Sequence, residues 1–231
     1  MKLTEKELWN IIEDVLQHSR RVLFYGPPAT GKTFAAMRKA TKKRNIYSIT
    51  VTPDMSMAEI RGHYIPKGQE FVWKDGVAIT AWREGARLVI NEIGDAGEDV
   101  LVFLHAILDD PDFAEYCLPT GETVKPHKDF QVVATTNHDP RKLPEPLQDR
   151  FPVTIQVLVP NPEAIAALPK DLQKTARASA KQTDSERRIT VRLWHEFANL
   201  RKLIGPEKAA FAVFGTRAND VLDAIRLEDA P

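Results

Sequence analysis

The stretch Gly26-Pro-Pro-Ala-Thr-Gly-Lys-Thr33 decides the fold, because it matches the phosphate-binding pattern G-x-x-x-x-G-K-[ST]. Its glycines let the backbone curl so that successive N–H groups face a phosphate, and the helix that follows offers the positive end of its dipole. Lys32 can reach the β- and γ-phosphates, and the Thr33 hydroxyl can ligate Mg²⁺. The sequence therefore predicts a site for ATP and Mg²⁺, with the cofactor-binding residues Gly26, Pro27, Pro28, Ala29, Thr30, Gly31, Lys32, Thr33 and Phe34.

The sequence around this stretch alternates between short apolar runs and segments that favour helix. Apolar and β-branched runs predict five strands, at residues 21–25, 46–51, 88–90, 130–135 and 153–157. Strands that alternate with helices are typical of a parallel sheet covered on both faces. The phosphate-binding stretch then lies between a strand and a helix, which is the context that its mechanism requires and that a chance match would lack.

The pattern changes at Pro160-Asn161-Pro162, where two prolines around an asparagine indicate a loop. Beyond it the sequence shows only helix signals, at residues 163–168, 191–204 and 207–214. We therefore predict an α/β fold: a five-stranded αβα core over residues 1–158, followed by a small α-helical domain over residues 159–231.

The composition excludes some classes of protein. Of the 231 residues, 43% are hydrophobic, and Lys plus Arg equal Asp plus Glu at 32 each, so the formal charge gives no general attraction to nucleic acid or membrane. A basic run at residues 38–44 is interpreted as a solvated helix end. One cysteine rules out an intrachain disulfide, and no apolar run reaches the length of a membrane span, so we predict a cytoplasmic protein.

A second motif, which carries an acidic residue, is expected at the end of a neighbouring strand. The candidate is Arg87-Leu-Val-Ile-Asn91-Glu92, where Glu92 would polarise the attacking water as the catalytic base. The preceding position, which usually carries an aspartate that supports Mg²⁺, is Asn91. An amide can still orient a metal-bound water but adds no negative charge, so we expect weaker Mg²⁺ affinity or slower hydrolysis. The alternative is that Glu92 is an ordinary loop carboxylate.

Taken together, these motifs resemble those of the MoxR-type and related AAA_5 groups of AAA+ ATPases. The resemblance covers about residues 20 to 204. It is carried by segments in the expected order: Glu59-Ile-Arg-Gly62, Trp73-Lys-Asp-Gly76, Ala81-Trp-Arg-Glu-Gly85, Asn91-Glu-Ile-Gly-Asp-Ala96, Ala134-Thr-Thr-Asn137 and Leu147-Gln-Asp-Arg-Phe151. Asn91 and Gly94 depart from the D-E-I-N-x-A pattern of these groups.

The resemblance implies that the helical domain over residues 159–231 is a lid, and it implies roles for three further residues. Asn137 would orient the lytic water together with Glu92, Arg150 would act in trans on the ATP of a neighbouring subunit, and Arg192 would be a sensor that contacts the γ-phosphate. The alternatives are a turn-forming asparagine and an ordinary surface arginine at position 150. The resemblance also suggests that hairpins at residues 62–76 and around Gly121 face the pore of a ring, although packed surface hairpins would show the same pattern.

The leading hypothesis is an ATP-hydrolysing, hexameric motor that remodels a protein client in a chaperone-like way. The resemblance implies a client reached through a partner with a von Willebrand factor A domain. A second hypothesis is a nucleotide-gated assembly switch whose hydrolysis is weak because of Asn91. A motor that acts on nucleic acid is a third, which the neutral charge disfavours.

Overall fold

The computed structural model describes residues 4–38, 44–182 and 188–228. Most of the basic run at 38–44 therefore lies outside the described residues. The chain divides into two compact units, which are taken in turn below. The sheet unit comprises Asn10–Gly26 and Lys32–Gln156, and the helical unit comprises Met1–Trp9, Pro27–Gly31 and Val157–Pro231. The predicted domain limits, 1–158 and 159–231, stay a prediction.

The described strands are β1 Arg21–Tyr25, β2 Ile46–Thr50, β3 Gly62–Lys67, β4 Glu70–Asp75, β5 Arg87–Asn91, β6 Tyr116–Cys117, β7 Thr123–Val124, β8 Gln131–Thr136 and β9 Val153–Gln156. Five of them form one sheet in the order β2-β5-β8-β1-β9, and every neighbouring pair is parallel. The predicted five strands and the α/β fold class are confirmed. The carboxyl ends of parallel strands meet at one edge, so the residues that follow β1, β5 and β8 converge there.

The described helices are α1 Glu5–His18, α2 Lys32–Met37, α3 Met57–Arg61, α4 Val77–Glu84, α5 Glu98–Ile107, α6 Glu145–Gln148, α7 Pro162–Ala166, α8 Lys170–Ala180, α9 Val191–Ile204, α10 Pro206–Phe214 and α11 Ala218–Glu228. Single 3₁₀ turns lie at Ile93–Asp95, Pro140–Lys142 and Gly215–Arg217. None of the helices in the described part of the chain is long and apolar enough to cross a membrane.

The two central strands of the sheet are buried along their whole length. Every residue of β5 and β8 is buried, because both faces of a parallel sheet are covered. Trp82 of α4 and Phe103 of α5 are large, fully buried side chains of this core, and each packs edge to face on another ring, Phe130 and Tyr116 respectively. Burial of a large apolar side chain contributes about 1.5–3 kcal/mol, so this cluster fixes the strands that carry the site.

A buried cation lies at the start of β5. Arg87 is 1% exposed, its Nε donates to Gln131 Oε1 at 2.6 Å, and its terminal nitrogens donate to the backbone carbonyls of Leu16, Ala36 and Arg38. Burial lowers the pKa of Arg87 to about 10. The side chain therefore ties β5 to the ends of α1 and α2 and to β8.

Two hairpins extend the sheet unit. Strands β3 and β4 pair antiparallel around a two-residue turn at Gly68 and Gln69, and β6 pairs with β7. Their existence was predicted, and the structure confirms it. Arg83 joins them, since its guanidinium donates to both carboxylate oxygens of Glu122 and its Nε donates to Asp75 at 2.8 Å. Contact of these hairpins with a ring pore stays a prediction.

The helical unit has its own apolar core around Trp194, Phe197 and Phe214, whose rings lie within 6.2 Å of one another. Side-chain caps begin two of its helices: Asn161 accepts from Glu163 N at 2.7 Å for α7, and Thr190 accepts from Leu193 N at 3.4 Å for α9. The predicted helical lid region is thus present, although α8 and α11 were not predicted.

Candidate functional site

The phosphate-binding stretch has an unusual backbone. Gly26 and Gly31 have φ of 134° and 98°, in the region that favours glycine. Ala29 has φ of 58° without being glycine, which costs about 1–2 kcal/mol. A Cβ on Gly31 would lie 3.2 Å from the ring of Trp9, so this position also lacks room for a side chain. The loop is therefore held in a curl that turns backbone N–H groups inward, as anion binding requires.

Lys32 begins α2 and is almost entirely buried, at 6% exposed. Its ammonium group donates to the carbonyl of Gly26 at 2.8 Å and to Asn137 Oδ1 at 2.8 Å. A buried ammonium needs such partners, because desolvation of an unpaired charge is costly. The predicted phosphate-binding lysine thus lies between the loop and the end of β8.

Asn137 joins Lys32 to Glu92. Its Oδ1 accepts from Lys32, and its Nδ2 donates to Glu92 Oε1 at 2.8 Å. The side chains Lys32, Asn137 and Glu92 therefore form one continuous hydrogen-bonded chain across the carboxyl ends of β1, β8 and β5. The two residues predicted to orient the lytic water are brought together.

Glu92 has two unusual features, a strained backbone and a buried oxygen without a hydrogen-bond partner in the described part of the chain. It adopts φ 56° and ψ 43°, a left-handed conformation that non-glycine residues seldom adopt outside functional sites. Its Oε2 is buried, and among the described residues it has no hydrogen-bond partner. An unpaired carboxylate oxygen is a strong acceptor, so Glu92 is chemically suited to take a proton from water.

Thr33 and Asn91 are also brought together. The Thr33 hydroxyl donates to Asn91 Oδ1 at 3.0 Å, and Asn91 is only 8% exposed. Because the hydroxyl proton points to Asn91, the lone pairs of Thr33 are left for a cation. A threonine oxygen is a ligand that Mg²⁺ accepts, so Thr33 fits the predicted metal. Phe34, the last residue of the predicted binding stretch, is 52% exposed.

Arg150 follows α6 and does not join the Lys32–Asn137–Glu92 chain. Its guanidinium donates to the carbonyls of His105 at 2.9 Å and Pro146 at 2.8 Å, and it lies 3.7 Å from Asp109. Burial and the nearby Arg150 charge lower the pKa of His105. Arg150 is thus oriented by α5 and α6, and its carboxylate neighbour is Asp109.

In the helical unit, the loop residues Pro28, Ala29 and Thr30 line a small pocket. The other lining residues are Pro160, Ala180, Arg188, Thr190 and Val191. Arg192 lies in the first turn of α9 with an exposed side chain and is not among them. The sensor role of Arg192 therefore stays a prediction.

Sequence reasoning missed three residues that contact predicted site residues or line this pocket. Arg188 is half-buried in the pocket, Ser48 accepts from Asn91 Nδ2 at 3.0 Å, and Thr135 donates to Asn91 Oδ1 at 3.3 Å. A signal existed for Ser48 and Thr135, since both are hydroxyl residues inside predicted strands. Arg188 lies in a segment where arginines are frequent, so its sequence gave no distinguishing signal.

The chain is similar to known proteins in family and in fold. Residues 21–151, more than half of the chain, match the family model described as AAA domain (dynein-related subfamily). Protein NorQ of Paracoccus denitrificans is 37% identical over 131 residues, which cover 55% of this chain and 47% of NorQ. The denitrification regulatory protein NirQ of Stutzerimonas stutzeri is 31% identical over 130 residues, covering 55% of this chain and 46% of NirQ.

Among solved structures, the crystal structure of NtrX from Brucella abortus in complex with ADP is similar to this chain. Its TM-score is 0.59 at 16% identity, and the match covers 87% of this chain and 50% of the NtrX chain. At that identity the likeness concerns the fold. The chain spans about half the length of the curated relatives it matches.

Proposed function

Because the chain belongs to the AAA domain (dynein-related subfamily) family of AAA+ ATPases, we propose that it binds ATP with Mg²⁺ and hydrolyses the bond between the β- and γ-phosphates. The predicted resemblance to the MoxR-type and AAA_5 groups is confirmed by this family and by the relatives NorQ and NirQ. The observation that carries the proposal is the hydrogen-bonded chain that joins Gly26, Lys32, Asn137 and Glu92.

In this proposal each residue has a task that its contacts support. The loop N–H groups and Lys32 would bind the phosphates, and Thr33 would hold Mg²⁺, which would supply positive charge to neutralise the phosphates. Lys32 must turn part of its ammonium group towards the γ-phosphate, which weakens its bond to Asn137. Asn137 and Glu92 can then orient a water molecule, and Glu92 accepts its proton.

The proposal includes assembly. Arg150, oriented by backbone carbonyls and Asp109, would stabilise the charge that develops on the ATP of a neighbouring copy in a homo-oligomeric, hexameric ring. Arg192 would contact the γ-phosphate from the lid, residues 159–231.

The ring would remodel a protein client in a chaperone-like way, through a partner with a von Willebrand factor A domain. The cytoplasmic location predicted from the sequence stays a prediction.

The first test is steady-state ATP hydrolysis with Mg²⁺ over a range of protein concentrations. If sites are completed between subunits, specific activity rises cooperatively with protein concentration, because each active site needs a second copy. Flat activity at a measurable rate would contradict the trans role of Arg150 but leave the ATPase intact. Absence of ATP binding would contradict the whole proposal.

A second candidate, a nucleotide-gated assembly switch, is favoured by two features of the same site. Asn91 brings no negative charge to the metal, and Glu92 is already bonded to Asn137. ATP would then order an interface through its different affinity for two states, with little turnover. Tight ATP binding with near-zero turnover at all protein concentrations supports the switch, and a large rise in turnover in Asn91→Asp would support it further.

A further inference from the structure

Asn91 is held by four hydrogen bonds, two at each polar atom of its amide. Oδ1 accepts from the hydroxyls of Thr33 at 3.0 Å and Thr135 at 3.3 Å. Nδ2 donates to Ser48 Oγ at 3.0 Å and to the carbonyl of Ile49 at 3.4 Å. An amide oxygen has two lone pairs and an amide nitrogen two protons, so these partners use the full capacity of the side chain.

The backbone of β2 decides which way the amide points. The carbonyl of Ile49 can only accept a hydrogen bond, so the nitrogen of Asn91 must face β2 and the oxygen must face Thr33. Ser48 lies on the same strand and accepts the other amide proton. With both lone pairs of Oδ1 engaged by hydroxyls, Asn91 has no remaining acceptor for a metal-bound water.

The consequence concerns Thr33. A threonine hydroxyl has one proton, and here that proton is directed to Asn91 Oδ1, which leaves the oxygen lone pairs available to a cation. We propose that Asn91 is a positioning residue that acts on Mg²⁺ solely through the Thr33 hydroxyl, and that Ser48 is a second positioning residue that fixes the Asn91 amide. This inference rests on the proposed binding of Mg²⁺ with nucleotide at the same loop.

A double-mutant cycle tests the first part. The Kd of ADP is measured by calorimetry once with Mg²⁺ and once with EDTA. The Kd with EDTA divided by the Kd with Mg²⁺ gives the factor by which Mg²⁺ strengthens ADP binding, and no hydrolysis is involved. Thr33→Val and Asn91→Ala should each lower this ratio about 10-fold or more, as loss of a metal's supporting residue does. The double variant should equal Thr33→Val alone, because the route to the metal is already lost. A further loss of similar size in the double variant would overturn the proposal.

Ser48→Ala tests whether Ser48 fixes the Asn91 amide. Because Ser48 is exposed, this variant should fold even if replacement of the buried Asn91 disturbs folding. The matched control is Thr50→Ala, two residues along on the same face of β2 and also exposed. Ser48→Ala should lower the Mg²⁺ strengthening about 2- to 10-fold while Thr50→Ala leaves it unchanged. Equal effects of the two variants would overturn the role of Ser48.

The measurement separates two kinds of failure. If wild-type protein binds ADP in neither Mg²⁺ nor EDTA, the proposed function itself is wrong. If wild-type ADP binding is strengthened by Mg²⁺ but the cycle is additive, only the positioning role of Asn91 is wrong.

Discussion

At the scale of single residues, Glu92 combines a left-handed backbone, a bond to Asn137 and a buried oxygen without a partner among the described residues. Glu92→Gln keeps an oxygen that can accept from Asn137 but cannot take a proton from water. We expect ATP hydrolysis to fall about 10²- to 10⁴-fold, with ATP affinity retained. Steady-state phosphate release and equilibrium ATP binding measure the two quantities.

The control for this change is Glu98→Gln, an exposed glutamate in the first turn of α5. It removes the same charge from the same unit and should leave hydrolysis within about twofold of wild type. Hydrolysis by Glu92→Gln at a rate close to that of the control would show that Glu92 is not the base.

The sequence predicted which residues meet at the site, but not how they are bonded. Glu92 and Asn137 each follow a strand end inside a recognisable motif, and parallel strands bring such ends to one edge. Lys32 begins α2 and reaches the same edge through Gly26, the residue that follows β1. The contact of Ser48 with Asn91 depends instead on the register of β2 against β5, where Ser48 lies opposite Val89. Register is set by the whole sheet, so no local pattern reveals it.

At the scale of elements, α8 shows where sequence patterns fail. The strands of the sheet were predicted to within one residue at each end, because each is a short apolar run bounded by polar or turn residues. Helix α8, KDLQKTARASA, buries Leu172, Thr175, Ala176 and Ala180, so a single large apolar side chain marks its inner face. Its position depends on tertiary contacts, including the ion pair of Asp171 with Arg201 of α9.

This ion pair predicts how acid affects the helical unit. Arg201 holds the pKa of Asp171 below its ordinary value. A lowered carboxyl pKa stabilises the fold above the unfolded value of about 3.9, and that contribution is lost as pH falls through the folded value. Asp171→Asn should therefore lower Tm by about 2–5 °C near pH 7, and the difference from wild type should shrink as pH falls below about 4.

Thermal unfolding followed by circular dichroism from pH 3 to pH 7 provides the measurement. Asp220→Asn, at an exposed position in the first turn of α11, controls for removal of a surface carboxylate. A Tm difference between wild type and Asp171→Asn that stayed constant with pH would show that the ion pair does not stabilise the fold.

At the scale of the whole molecule, the trans role of Arg150 predicts complementation between inactive variants. Lys32→Ala removes nucleotide binding but keeps Arg150, and Arg150→Ala does the reverse. Each protein alone should lose most ATP hydrolysis. In a mixture, some interfaces join an intact loop to an intact Arg150, so activity should exceed the sum of the separate proteins in a steady-state assay.

Arg141→Ala is the matched control, because Arg141 is exposed and pairs with its neighbour Asp139. It should be active alone and show no gain when mixed with Arg150→Ala beyond its own contribution. Co-assembly of Lys32→Ala with Arg150→Ala, shown by light scattering, without recovery of activity would exclude a trans role for Arg150.

The single amide of Asn137 makes the two ends of its hydrogen-bonded chain interdependent. Its oxygen and nitrogen are fixed in one plane, so a rotation that releases Lys32 also withdraws the donor from Glu92. Under the proposed function this arrangement is an interlock in the engineering sense, because Glu92 would stay bonded to Asn137 until Lys32 binds a phosphate.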